Sequence, residues 1–203
     1  MLPGHFRFTQ VHEVEFLSAF DYTSTATFPV ASALLSVQHD KAEEFVKIVE
    51  GYNPEGEGTL RTLRIAKHEI INKTPEFIAL LEDLAKTTIK ENWIVDRELV
   101  RTDFGFFIYD KGGKFGLHVD GTTYVGMPQR KFSSIFYMHE PMNDYEGGDL
   151  IFPTIVNEDG DPLVFSPKKF TQLVWPSNEN YPHEVLEVTK GRRIIFGLFF
   201  DTL

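Results

Sequence analysis

The sequence predicts a mainly β domain, a jelly roll (double-stranded β-helix) with a helical N-terminal part packed on it, and two textures in the chain carry that prediction. From about residue 98 the sequence breaks into short apolar runs, "ELVRTDFGFFIYD", "FGLHVD", "FSSIFYMH", "DLIFPTIV", "PLVF", "FTQLVWP", "HEVLEV" and "RRIIFGLFF". They are cut by "KGGK", "GTTYVGMPQ", "YEGG", "NEDGD" and "SNENYP", all rich in turn formers. Many short strands punctuated in this way predict an antiparallel sandwich or jelly roll. Before residue 98 the pattern is helical instead.

Asp40 precedes "KAEEFVKIVEGYN" as an N-cap, with Glu43 placed for a capping box and Gly51 as a stop. Phe45, Ile48 and Val49 fall on one face of that helix. A second helix is expected from Thr74-Pro75, with Pro at the first helical position and Phe77, Ile78, Leu81, Leu84 and Ala85 at helical spacing. The stretch "TATFPVASALLSV" fits strand and helix equally. No repeat, low-complexity tract or linker separates the parts, so residues 1–203 are expected to form one domain, with 1–97 as the helix-containing part and 98–203 as the jelly-roll core.

Composition excludes several functions. Thirty acidic residues against 20 Lys plus Arg give a formal charge of −10, which repels phosphate backbones, so no nucleic-acid partner is expected. Cysteine is absent, which removes disulfides, thiolate catalysis and zinc–cysteine sites. A metal must then be held by His and carboxylate, a donor set that favours iron, manganese or a catalytic zinc. The start "MLPGHFRFTQ" has no basic region followed by an apolar run, and no stretch reaches the length of a membrane span. No membrane association and a cytoplasmic location are the expectations.

Within "KFGLHVDG", His118 and Asp120 are two residues apart, so a strand turns both to one face while Leu117 and Val119 face the other way. A bare H-x-D is most often a solvent-facing strand edge; a metal site needs a third ligand. Of the remaining histidines, His5 and His12 have no supporting pattern, and His39 and His68 read as surface residues. His139 ends a strand that carries Tyr137 on the same face, and reads either as a group that supports a metal ligand from behind or as a strand-end polar residue. His183 opens a strand and is followed ten residues later by Arg193. Two His and one carboxylate can occupy one face of an iron and leave the opposite face open, while a fixed cation farther along can hold a dicarboxylate.

These residues lie in a larger pattern. Tyr109 stands nine before His118, with Gly112 and Gly113 between, and Phe115 stands three before it where Tyr is common. Arg130 precedes "SSIFYMH"; Gly147, Gly148, Asp149, Leu150 and Phe152 follow; then come "LVWPS", His183, Val185, Val188, Thr189, Gly191 and Arg193. In this order and spacing, residues 103–200 resemble the Fe(II)/2-oxoglutarate-dependent dioxygenases, in particular the prolyl 4-hydroxylase-like branch.

The resemblance implies that His118, Asp120 and His183 ligate Fe(II), that Arg193 pairs with the remote carboxylate of 2-oxoglutarate, and that Tyr137 donates a hydrogen bond to the same group. Tyr109 would line the cosubstrate pocket, with Ile135 and Ser133 on Tyr137's face as further lining. Arg192 is the rival to Arg193, and strand alternation turns it to the opposite face. Leu150 and Phe152 are expected as core or pocket wall, and Gly147-Gly148 as a turn without chemistry of its own. Phe199 departs from the family, which often has Trp there; the intact Asp120 argues against the halogenating relatives.

The implied reaction couples O2 and oxidative decarboxylation of 2-oxoglutarate, giving succinate and CO2, to hydroxylation of an unactivated carbon, with ascorbate as a stimulant. The substrate would be a protein, peptide or small molecule, with peptidyl proline or another amino-acid side chain leading; oligomeric state is not readable. Two alternatives use the same His/Asp/His set: a zinc hydrolase, which has no need of Arg193, and a non-catalytic jelly-roll metal-binding protein. Gly121 to Arg130 is expected as a mobile rim or lid beside the site.

Overall fold

The computed structural model describes residues 10–11, 14–18, 31–35, 39–51, 60–62, 67–121, 129–157 and 159–203. Thirteen strands and three helices occupy them. In chain order they are β1 (Gln10–Val11), β2 (Val14–Ser18), β3 (Ala31–Leu35), α1 (His39–Gly51), β4 (Leu60–Thr62), α2 (Lys67–Lys73), α3 (Pro75–Asn92), β5 (Leu99–Asp110) and β6 (Phe115–His118). Then follow β7 (Phe132–Tyr137), β8 (Tyr145–Gly147), β9 (Leu150–Val156), β10 (Pro162–Phe165), β11 (Thr171–Pro176), β12 (His183–Val185) and β13 (Val188–Thr202).

The strands form two antiparallel sheets. The larger runs β1-β2-β3-β11-β7-β13-β5-β4, with β8 attached to β13, and the smaller runs β10-β9-β12-β6. Side chains of the larger sheet alternate between two cores, as a period of two requires. On β7, Phe132 and Phe136 face the helices while Tyr137 faces the smaller sheet; on β13, Ile194, Phe196 and Leu198 go one way and Ile195 the other.

The helix-side core holds Ala42, Phe45, Val46 and Val49 of α1 and Phe77, Ile78, Leu81, Leu84, Ala85 and Ile89 of α3. Phe45 is its hub, with ring centroids 4.9 Å from Phe77, 5.8 Å from Phe196 and 5.9 Å from Phe106. Burying one such ring contributes about 1.5–3 kcal/mol. The inter-sheet core gathers Leu150, Phe152, Leu163, Trp175, Tyr181 and Val185 around a more polar centre. No helix among the described residues is long and apolar enough to cross a membrane.

Several local expectations change. Helix α1 starts at His39, so Asp40 lies inside the first turn, where its charge suits the positive helix end, rather than at the cap. Thr74 precedes Pro75 as expected, yet its hydroxyl donates to the Ile70 carbonyl 2.9 Å away in α2 and caps nothing in α3. That preceding helix, α2, was unanticipated: its seven residues are too few to show two turns of periodicity. "HEVLEV" is two strands, β12 in the smaller sheet and the start of β13 in the larger, because the chain crosses between layers at Leu186–Glu187. "YEGG" is more than a cut, since Tyr145–Gly147 pairs with β13. Of "TATFPVASALLSV", Ala31–Leu35 is a strand between β2 and β11. Its earlier residues, and His5 and His12, lie outside the described residues.

Candidate active site

Strands β6 and β12 pair antiparallel with His183 directly opposite His118, which brings the two imidazole centroids to 4.3 Å. Asp120, two residues beyond His118, places Oδ1 3.5 Å from His118 Nε2 and Oδ2 3.5 Å from His183 Nε2. The three donor atoms lie within 4.8 Å of one another.

Both rings are turned by backbone carbonyls. His118 Nδ1 is 2.8 Å from the Gly116 carbonyl oxygen and His183 Nδ1 is 3.0 Å from that of Tyr181. A carbonyl only accepts, so each Nδ1 carries the hydrogen, and each ring in its neutral form presents a bare Nε2 to Asp120's side. Burial disfavours protonation of His183 and lowers its pKa despite the nearby Asp120. Burial works the same way on His118, but the Asp120 hydrogen bond and the Gly116 carbonyl outweigh it and raise that pKa. Burial would raise the Asp120 pKa too; the His118 hydrogen bond, the His183 charge and the Ser133 hydroxyl together hold it below the usual range. Two imidazole nitrogens and one carboxylate, converging from one side, suit a divalent cation such as iron or zinc.

His183 is walled by Phe152, Trp175 and Tyr181, with ring centroids 5.3 Å and 5.1 Å away for the first two. Phe115 sits against His118 at 4.1 Å and is partly exposed, so it edges the open side. Ser133 stands closer to the donor set than a pocket wall would: its hydroxyl donates to Asp120 Oδ2 at 2.6 Å. A cavity of about 720 Å³ opens beside the segment carrying Asp120, lined by Trp93, Val119, Arg130, Phe132 and Ser177 among others. Arg130 is held at its rim by Asp103 at 2.6 Å and lies 3.8 Å over the Phe199 ring. Of the expected lid, residues 122–128 lie outside the described residues.

Deeper between the sheets, Arg193 is fully buried. Its register partner on β5 is Tyr109, and Tyr137 comes from β7, with ring centroids 4.7 Å and 5.0 Å from the guanidinium carbon. Arg193 Nη2 donates to Tyr137 Oη at 3.2 Å, which leaves that phenol's own hydrogen free to donate elsewhere. Nε and Nη1 are buried without a hydrogen-bond partner, and no carboxylate among the described residues pairs with this cation. Burial raises the pKa of all three phenols around it, that of Tyr145 to about 12, against the pull of the guanidinium, so they stay neutral. A buried cation with two orphaned donors is a site made for an anion that comes from outside the chain.

Alternation settles where the neighbouring arginine goes: Arg192 points away and pairs with Asp110 at 2.7 Å on the surface. Ile135 is half-buried against the inter-sheet core, paired with Leu173 and Gly197. His139 reaches neither the donor set nor open solvent. Its Nδ1 is 2.6 Å from the Arg192 carbonyl oxygen and its Nε2 2.9 Å from Glu50, joining α1 to the start of β13.

Sequence reasoning missed Tyr145 and Ser177, whose signals were weak because both sit in turn-like stretches. It also took Gly147-Gly148 for a mere turn. Gly148 has φ +69°, and a Cβ there would meet Val188 Cγ2 at 2.9 Å and Arg193 Cδ at 3.1 Å. Gly148→Ala is expected to lose about 1–3 kcal/mol from the left-handed backbone alone, read as a fall in the urea midpoint, and to tilt Arg193.

Residues 104–201 match the family model described as the 2OG-Fe(II) oxygenase superfamily. No curated protein matches the chain. Among solved structures, a viral collagen prolyl hydroxylase from Paramecium Bursaria Chlorella virus-1, in complex with 2OG, is 18% identical with a TM-score of 0.55 over 94% of this chain and 96% of its own. A Pseudomonas putida prolyl-4-hydroxylase is 21% identical, with a TM-score of 0.58 over 88% of this chain and 95% of its own. A Trichoplax adhaerens prolyl hydroxylase, in complex with a hypoxia inducible factor oxygen degradation domain peptide fragment, is 15% identical, with a TM-score of 0.61 over 88% and 84%. At these identities the likeness is one of fold.

Proposed function

We propose that this chain, whose residues 104–201 match the model of the 2OG-Fe(II) oxygenase superfamily, hydroxylates an unactivated carbon of a peptide, with prolyl or another amino-acid side chain as substrate. His118, Asp120 and His183 hold Fe(II), and Arg193, Tyr137 and Tyr109 hold the distal carboxylate of 2-oxoglutarate. The observation that carries the reading is the orphaned Arg193 guanidinium buried in the same inter-sheet space as the His/Asp/His set. A zinc hydrolase has no use for that cation.

Bound Fe(II) would supply O2 activation, drawing electrons from the decarboxylation of 2-oxoglutarate to succinate and CO2. The chain's own contribution is placement. Arg193 Nη1 offers an unpartnered N–H group to one carboxylate, Tyr137 offers its free hydroxyl hydrogen to the same group, and Nε is a further unpartnered donor on the other side of the guanidinium. The Nδ1 hydrogen bonds of His118 and His183 hold both rings in position before anything binds. Phe152 and Trp175 exclude water behind His183. Preorganised donors of this kind cost no rearrangement when the cosubstrate arrives.

The protein incubated with Fe(II), ascorbate and 2-oxoglutarate is expected to release succinate slowly without substrate, and faster with a proline-containing peptide than with free proline. No succinate, together with no absorption band that depends on both Fe(II) and 2-oxoglutarate, would overturn the reading; zinc-dependent ester cleavage would favour the hydrolase.

A further inference from the structure

Two buried serines outside the donor set form a chain with one possible direction. Ser133 Oγ is 2.6 Å from Asp120 Oδ2 and 2.6 Å from Ser177 Oγ. A carboxylate accepts only, so the Ser133 hydrogen goes to Asp120. Ser133 then has only lone pairs left for Ser177, so the Ser177 hydrogen goes to Ser133. The polarity Ser177→Ser133→Asp120 follows from there being one hydrogen per hydroxyl.

The chain is built into the backbone at both ends. Ser133 lies on β7 opposite Trp175 of β11, and Ser177 follows β11 with its N–H donating to the Lys131 carbonyl at 2.8 Å. Gly121, next to Asp120, has no room for a Cβ because the Ser177 and Arg130 carbonyl oxygens press on it. The ligand segment and the serine pair are therefore held against each other by main chain. The adjacent Ser134 is also buried but its hydroxyl has no partner, so pairing is not a general property of buried serines on this strand.

We propose that Ser133, supported by Ser177, is a positioning residue that occupies Asp120 Oδ2 and turns the carboxylate to meet a metal through Oδ1 alone. One-oxygen binding keeps the open face of the site open; a carboxylate free to rotate would cover part of it with its second oxygen. This rests on the metal site proposed above.

The test is calorimetric titration of metal-free protein with Co(II), a divalent probe that needs no turnover, for the wild type, Ser133→Ala, Ser133→Thr, Ser177→Ala and His183→Ala. Ser133→Ala is expected to bind Co(II) roughly 10–100-fold more weakly, the usual effect of losing a partner of a ligand. Ser133→Thr, which keeps the hydroxyl, restores most of the affinity, and Ser177→Ala loses less because the bond to Asp120 survives. The visible Co(II) absorption of Ser133→Ala shifts toward a higher coordination number. Wild-type affinity and spectrum in Ser133→Ala, with binding still abolished in His183→Ala, would overturn this inference alone. A lower unfolding midpoint with unchanged Co(II) affinity would do the same, since that marks a packing role. No Co(II) binding by the wild type would overturn the metal site together with it.

Discussion

His183→Ala will remove iron-dependent release of succinate down to background while leaving the chain folded. His183 supplies one of three donor atoms, and the other two sit on the single segment 118–120, so its loss leaves a His/Asp pair that cannot cap one face of a cation. The imidazole is buried against Phe152 and Trp175, and its removal leaves a hole between the sheets. Large-to-small changes of this kind cost about 2–5 kcal/mol, so a lowered urea midpoint is expected alongside the lost activity. His183→Gln, which fills more of that hole, separates the two effects. It should regain much of the stability and none of the turnover. Retained succinate release in either variant would remove His183 from the site.

The second large effect concerns Arg193. Arg193→Met should raise the 2-oxoglutarate requirement by about 30-fold to several thousand-fold, since removing one side of a buried charge pair costs about 2–5 kcal/mol. Arg192→Ala should leave it nearly unchanged, because that side chain faces Asp110 on the surface. The unliganded Arg193→Met protein should be no less stable than the wild type. In the absence of an anion its guanidinium is a buried cation that among the described residues meets phenols and no carboxylate, and methionine fills similar space without that desolvation. KM for 2-oxoglutarate and the melting temperature of metal-free protein check both halves. A KM that moves more in Arg192→Ala would place the cosubstrate on the other face of β13.

How much of this could be read from the sequence depends on the range of each interaction. Strand alternation is local, so the opposite facing of Arg192 and Arg193 and the buried stripe of α3 were legible from spacing, whereas β6 ends at His118 and Asp120 reaches the site from the turn beyond it. Period two also predicted that Ser133, Ile135 and Tyr137 share a face. Helix α2, the break in "HEVLEV" and the start of α1 were not legible, because a boundary or a crossing between layers is set by what the segment packs against. Tyr145 and Ser177 illustrate the other limit. Each matters only through a residue far away in sequence, Arg193 for the one and Ser133 for the other.

By itself the sequence determined the metal-type donors, the cation and phenols suited to a dicarboxylate, and the strand-and-turn texture that places them. These follow from side-chain chemistry and from periods of two and 3.6 residues. Tertiary structure alone decided that His118 faces His183 across β6 and β12, that Arg193 has no carboxylate partner among the described residues, and that Ser177 backs Ser133, whose hydrogen goes to Asp120. Those are matters of register between distant strands and of which groups stay unpaired once the layers close, and neither is encoded in any single stretch of chain.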